Sequence, residues 1–160
     1  MKKYFLTLAL VLISTVSNAQ NEVFKSFAQN FGKSAAFAYA NISNKPVLLV
    51  SHEVFGNDEN EELEALATSI FALDSDGKMV TLGSIRSQGT LYPVSILDNK
   101  LMVAGHHFVS VYGIRGEGEP ELELVCHEES DMNNHSKELK ALFEKFEQAK
   151  PVKFTHLLNK

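Results

Sequence analysis

Thr68-Ser69-Ile70-Phe71-Ala72-Leu73-Asp74-Ser75-Asp76-Gly77-Lys78-Met79-Val80 sets two short apolar runs on either side of an Asp-Gly turn. β-Branched and aromatic residues favour a pleated backbone, and Asp-Gly supplies the positive φ of a tight connection, so the stretch reads as an antiparallel hairpin. The rhythm continues downstream. Lys78–Ile85 is followed by Arg86-Ser87-Gln88-Gly89, and Leu91–Leu97 by Asp98-Asn99-Lys100. Leu101–Ala104 is followed by Gly105-His106, with Gly105 expected at a positive φ, and His107–Ile114 by Arg115-Gly116-Glu117-Gly118. Glu121–Cys126 closes the series. Turns at this spacing predict a mainly β (α+β) domain, an antiparallel meander that is barrel-like or a curved sheet.

Helical patterns flank the meander. Val23, Phe24, Phe27, Ala28 and Phe31 form one apolar stripe before Gly32. Leu139, Leu142, Phe143 and Phe146 form another after the polar break 130–134, ending at Lys150-Pro151. Both spacings predict amphipathic helices, an N-terminal and a C-terminal one packed on the sheet. Pro46–Phe55, with Val47-Leu48-Leu49-Val50 at its centre, reads as a buried strand. The Ala-rich segment Ala35–Ile42 reads as strand or, in the alternative α+β arrangement, as an extension of the first helix. Gly56–Glu64 is polar and acidic and reads as an exposed loop with a helical turn near Leu63. Val152–Leu158 reads as a short apolar tail that could form an edge strand.

The first 19 residues carry an address. Met1-Lys2-Lys3 is basic, Tyr4 to Val16 is almost wholly apolar, and Ser17-Asn18-Ala19 is a small-x-small cleavage pattern. These are the parts of a secretory signal peptide, and the apolar run is shorter than the roughly 20 residues that span a bilayer. The expectation is a leader over 1–19, a single secreted globular domain over 20–160 and a secreted or periplasmic location, with no stable membrane insertion after cleavage. Removing Lys2 and Lys3 from the 15 basic residues leaves 13 against 20 acidic ones, a formal charge of −7. Such a surface repels nucleic acid and anionic lipid. Cys126 is the one cysteine, so an internal disulfide is excluded and stability has to come from a core.

Catalytic signatures are sparse. Asp74-Ser75-Asp76-Gly77 lacks the later ligands of a calcium loop. The six histidines, His52, His106, His107, His127, His135 and His156, show no metal-binding spacing. There is no G-x-S-x-G, no C-x-x-C and no phosphate-binding glycine loop. No cofactor is expected. The preferred reading is a non-enzymatic binding module for a protein or small-molecule ligand. The alternative is a small secreted hydrolase or metal-dependent enzyme using the histidines.

One connection mixes a cation, amides, hydroxyls and an aromatic ring: Arg86-Ser87-Gln88-Gly89-Thr90-Leu91-Tyr92-Pro93. In an up-and-down meander it lies at the same end as the Gly105-His106-His107 tip, one hairpin away. Arg86, Gln88, Tyr92, His106 and His107 are therefore the expected ligand-binding residues. Arg86 offers a donor fork for a carboxylate, Tyr92 a flat face with a polar tip, and the imidazoles a contact that responds to pH between about 5 and 8. Protein exported by its natural host is expected to begin at Gln20, as read by N-terminal sequencing or intact mass; soluble cytoplasmic protein retaining Met1 would overturn the leader.

Overall fold

The computed structural model describes residues 20–57, 62–130 and 135–156. The expected leader and residues 58–61 of the acidic run lie outside them. The chain divides into two compact units, Met1–Gly32 and Lys33–Lys160. In the first, residues 20–28 form helix α1, which tightens into a 3₁₀ turn over Gln29–Phe31 and stops at Gly32, whose φ is +79°. The expected helix is thus present, with the Phe27 and Phe31 rings edge to face at 5.4 Å.

The second unit is built of antiparallel strands: β1 (Ala36–Ile42), β2 (Lys45–Ser51), β3 (Val54–Asn57), β4 (Glu62–Ala65), β5 (Ala67–Leu73), β6 (Met79–Arg86), β7 (Ser95–Leu97), β8 (Lys100–Gly105), β9 (Phe108–Arg115), β10 (Glu121–Glu129), β11 (Lys150–Pro151) and β12 (Thr155–His156). Helix α2 (Lys137–Gln148) lies between β10 and β11. One five-stranded sheet has the order β12-β1-β2-β5-β6, a second has β10-β9-β8-β7-β11, and β3-β4 form a separate hairpin. The meander is therefore real, but it does not close into a barrel. Closure needs a continuous ladder, and here the chain passes from β6 to β7 into a different sheet.

Side chains of both sheets share one core: Ala36, Ala38, Ile42, Val47, Leu49, Ile70 and Ile85 from the first, and Leu101, Val103 and Ile114 from the second. Leu63 and Ala65 of β4 join it, with Val94, Val152 and Phe154. The Ala-rich segment is a strand, which removes the reading that extended α1 through it. Ala36, Ala38 and Ala40 alternate with Phe37, Tyr39 and Asn41, so the period is two, and the alanines let β1 lie close against the core. A second cluster lies on the other face of the second sheet. There Met102, Ala104, Val109 and Val111 meet Leu139, Leu142 and Phe146 of α2, with Phe143 and Cys126 packed at the margin. Ser136 caps the helix, its Oγ accepting the Leu139 N–H at 3.0 Å. Cys126 is half-buried, a small apolar group as its neighbours imply.

The turns follow their chemistry. Ser43-Asn44 and Asp98-Asn99 join β1 to β2 and β7 to β8, with all four residues at positive φ (50°, 63°, 48° and 57°), the signature of type I′ hairpins. The two turns meet: the Ser43 N–H donates to the Asn99 carbonyl at 2.8 Å, and Ser43 Oγ accepts the Ile114 N–H at 3.1 Å. At Asp74–Gly77 the Asp74 carboxylate accepts the N–H groups of Asp76 and Lys78 at 2.9 and 2.8 Å. That carboxylate serves the turn, which accounts for the calcium-like spelling.

Two local expectations fail. Gly56–Glu64 is not simply a loop with a helical turn, because β3 and β4 pair from Val54↔Ala65 to Asn57↔Glu62 and Leu63 is buried. The acidic composition outweighs Leu63 and Ala65 in a sequence reading, yet these two apolar residues anchor the strand. Strand alternation through 121–126 would turn Leu124 inward with Leu122, but Leu124 is 54% exposed, on the outermost strand of the second sheet next to the register shift between Leu124 and Cys126.

The last strands tie the layers together. β11 pairs with β7 of the second sheet, the Phe154 N–H donates to the Leu63 carbonyl at 2.8 Å, and β12 pairs with β1 of the first. Of the tail expected over Val152–Leu158, Thr155 and His156 form an edge strand, and residues 157 and 158 lie outside the described residues. Phe154 is fully buried in the shared core. Phe154→Ala is expected to cost about 3–5 kcal/mol in denaturant unfolding, seen as a lowered midpoint at unchanged slope.

Candidate functional site

The β6–β7 connection and the β8–β9 turn lie side by side. The Gln88 N–H donates to the Ala104 carbonyl at 2.8 Å, and the Ala104 N–H donates to Ser87 Oγ at 3.2 Å. These two bonds fasten the 87–93 connection to the end of β8. The Tyr92 N–H donates back to the Gly89 carbonyl at 3.1 Å, which turns the chain and presents Leu91 at the tip, 78% exposed.

Gly105 is the last residue of β8, paired with Phe108, and His106-His107 alone form the turn. Its φ is not in the positive region, so the expected reason for a glycine there is replaced by a steric one. A Cβ at Gly105 would run into the Phe108 ring and stand 2.8 Å from Gln88 Oε1. The missing side chain is what allows the Gln88 side chain to lie across the strand end.

The rings form a continuous array. Tyr92 meets His106 edge to face at 5.6 Å and packs on Phe146 and Phe143 of α2 at 6.0 and 6.1 Å. His106 and His107 are 6.3 Å apart, and His107 meets His135 at 6.0 Å. His135 in turn stacks on Phe143 at 5.7 Å with an interplanar angle of 18°. His106 is exposed, whereas Tyr92, His107 and His135 are half-buried. The His107 carbonyl accepts the Ser130 N–H at 3.0 Å. His107 Nδ1 and Ser130 Oγ are the two buried side-chain polar atoms without a hydrogen-bond partner among the described residues. An unmet buried polar group costs about 1–3 kcal/mol, so this corner holds unsatisfied polar capacity.

Of the five expected residues, the structure brings Gln88, Tyr92, His106 and His107 into one patch. Arg86 is committed elsewhere. It ends β6 in the first sheet, and its Nη1 donates to Glu53 Oε2 at 2.7 Å while Nη2 contacts Glu53 Oε1. Its fork is filled by a carboxylate of the chain itself. That hydrogen bond holds the Glu53 carboxyl below the ordinary carboxylate range and raises the Arg86 guanidinium above its usual value, and mutual charge attraction acts in the same direction.

His135, Phe143 and Phe146 belong to the patch although the sequence offered them only as a solitary histidine and a core stripe. Their place depends on α2 packing against the second sheet, which no local spacing encodes. The remaining histidines are dispersed. His127 hydrogen-bonds Ser110 Oγ through Nδ1 at 2.8 Å and approaches Glu129 at 3.5 Å. His156 Nδ1 bonds the Ala35 carbonyl at 3.1 Å, and His52 follows β2 in the first sheet. Among the described residues no three His, Cys, Asp or Glu side chains are grouped closely enough to hold a metal ion. Also among them, no helix is long and apolar enough to cross a membrane.

Compared with family models, curated proteins and solved structures, the chain matches none of them. The functional reading therefore rests on the residues themselves.

The Glu53–Arg86 pair has a definite pH signature. Glu53 has a depressed folded-state pKa, so its contribution to stability is present above the unfolded carboxyl value and is lost as pH falls through the lowered folded value. In Arg86→Gln the Glu53 carboxyl is expected to titrate nearer its ordinary range, as followed by NMR of its side-chain carbonyl carbon; an unchanged titration would show that the pair does not set it.

Proposed function

We propose that the protein is an exported, non-enzymatic binding module, acting in the periplasm or outside the cell. It engages a protein partner through the patch of Gln88, Leu91, Tyr92, His106 and His107. The observation that carries this reading is the ring array, in which exposed His106 meets Tyr92 and Tyr92 packs on Phe143 and Phe146, with Leu91 exposed beside Tyr92 in the chain. Rigid aromatic anchors lose little conformational freedom on association and are enriched among the residues that dominate interface energies. Loops held on a firm sheet are where binding groups concentrate, and this connection is fastened to β8 by two hydrogen bonds. A partner that draws His107 outward also meets a polar atom that has no mate among the described residues. Export is supported by the order of charged, apolar and small residues over 1–19.

A photocrosslinking residue placed at Leu91 and expressed in the natural host is expected to give a discrete protein adduct. The same residue at Lys78, on the Asp74–Gly77 turn, is expected to give none. The adduct should fall about tenfold when Tyr92→Ala and His106→Ala are combined, as removal of two interface anchors implies. Equal adducts from both positions, or an adduct indifferent to the double substitution, would overturn the reading.

A further inference from the structure

A second polar feature lies in the first sheet, apart from the ring array. A pocket of about 260 Å³ opens there, lined among others by Val50, Ser69, Ser84, Arg86, Glu53 and His52. Val50 pairs with Ser69 and Ser69 pairs with Ser84, so these three share one face, opposite to the core-facing Leu49 and Ile70. We propose that this pocket binds a small zwitterion of the free α-amino acid kind, its carboxylate on Arg86 and its ammonium on Glu53.

The charges argue for that class. Arg86 and Glu53 form a two-point ion pair whose side chains are 60% and 43% exposed. An exposed pair is weakly held and opens readily. A simple anion that takes Arg86 is repelled by the Glu53 carboxylate beside it, and a simple cation that takes Glu53 is repelled by Arg86. A ligand carrying both charges a few ångströms apart satisfies each half and leaves neither alone. The guanidinium fork suits a carboxylate in particular.

The walls add to this. Ser51 and Thr68 brace the corner, Ser51 Oγ accepting the Glu53 N–H at 3.0 Å and Thr68 Oγ1 donating to the Val50 carbonyl at 3.1 Å. Both residues are only 2% exposed, so Glu53 is carried on a fixed corner. Ser69 Oγ and Ser84 Oγ lie 3.0 Å apart. One hydroxyl donates to the other, which leaves the acceptor's own proton for a ligand oxygen. Val50 and Ala67 offer apolar surface for a small side chain. The volume equals that of about nine liquid waters at about 30 Å³ each, enough for one amino acid and too little for a peptide of several residues.

The test is titration of the purified protein at neutral pH with L-valine, acetate and methylammonium, followed through amide resonances. L-Valine is expected to give saturable shifts at Ser69, Ser84 and Arg86, whereas acetate and methylammonium, each carrying one charge alone, give none up to about 10 mM, where binding energies are slight. Arg86→Gln and Glu53→Gln should each weaken valine binding about tenfold or more through loss of one charge-assisted contact. Both are surface changes whose folding is checked from the unperturbed core resonances. Absence of saturable valine shifts, acetate binding as tight as valine, or Glu53→Gln binding valine no more weakly would overturn the proposal. The outcome is separate from that of the Leu91 crosslink, because the pocket and the ring array lie on different sheets.

Discussion

Everything in the second unit depends on the burial of the two inner sheet faces against each other. Neither sheet can stand alone: each has a continuous apolar face, and only the opposite layer removes it from water. At roughly 25 cal/mol per Å² of apolar surface, this shared layer is the dominant favourable term. It also fixes register. A one-residue slip of β1 would turn Phe37 and Tyr39 inward and expel Ala36 and Ala38, so the pairing of β1 with β2 is dictated by the core as much as by the Ser43-Asn44 turn. The β3–β4 hairpin, the Ser43–Asn99 contact and the final strands act as clasps around that layer.

Elements defined by local chemistry could be read directly from the chain. The Asp-Gly hairpin, the Asp98-Asn99 turn and the Leu139–Phe146 stripe are local patterns, and each forms where its spacing places it. What could not be read was set by distant partners. Ala36–Ile42 has small side chains compatible with helix or strand, and its state is decided by β2 and β12. Leu63 sits in acidic surroundings and becomes a strand residue because Gly56 and Phe154 reach it from elsewhere in the chain. A two-layer sandwich differs from a barrel only in which edges meet, and edge pairing is not written in turn spacing.

The proposed binding residues divide along the same line. Tyr92 and His106 could be brought together from sequence because one hairpin separates them and a meander returns to the same end. Arg86 is one residue from the connection in sequence but points to a different neighbour, since it is still within β6 and shares a sheet with the segment that carries Glu53. Adjacency along the chain therefore grouped with the loop a side chain whose strand ends one step before the loop begins. The two polar features consequently belong to different layers, one built of rings and one of paired charges.

The crossing of residues 150–156 from one sheet to the other has a temporal consequence. Contacts such as Ala36 with His156 and Leu63 with Phe154 join parts of the chain that are far apart in sequence. Loop closure of that length precedes its reward, and domains rich in such contacts fold slowly. A nascent chain emerging from its N-terminus can form each meander as it appears, but the sandwich stays open along one side until this late segment arrives. The segment behaves as a latch: the two layers are not tied along this side until residues 150–156 are in place.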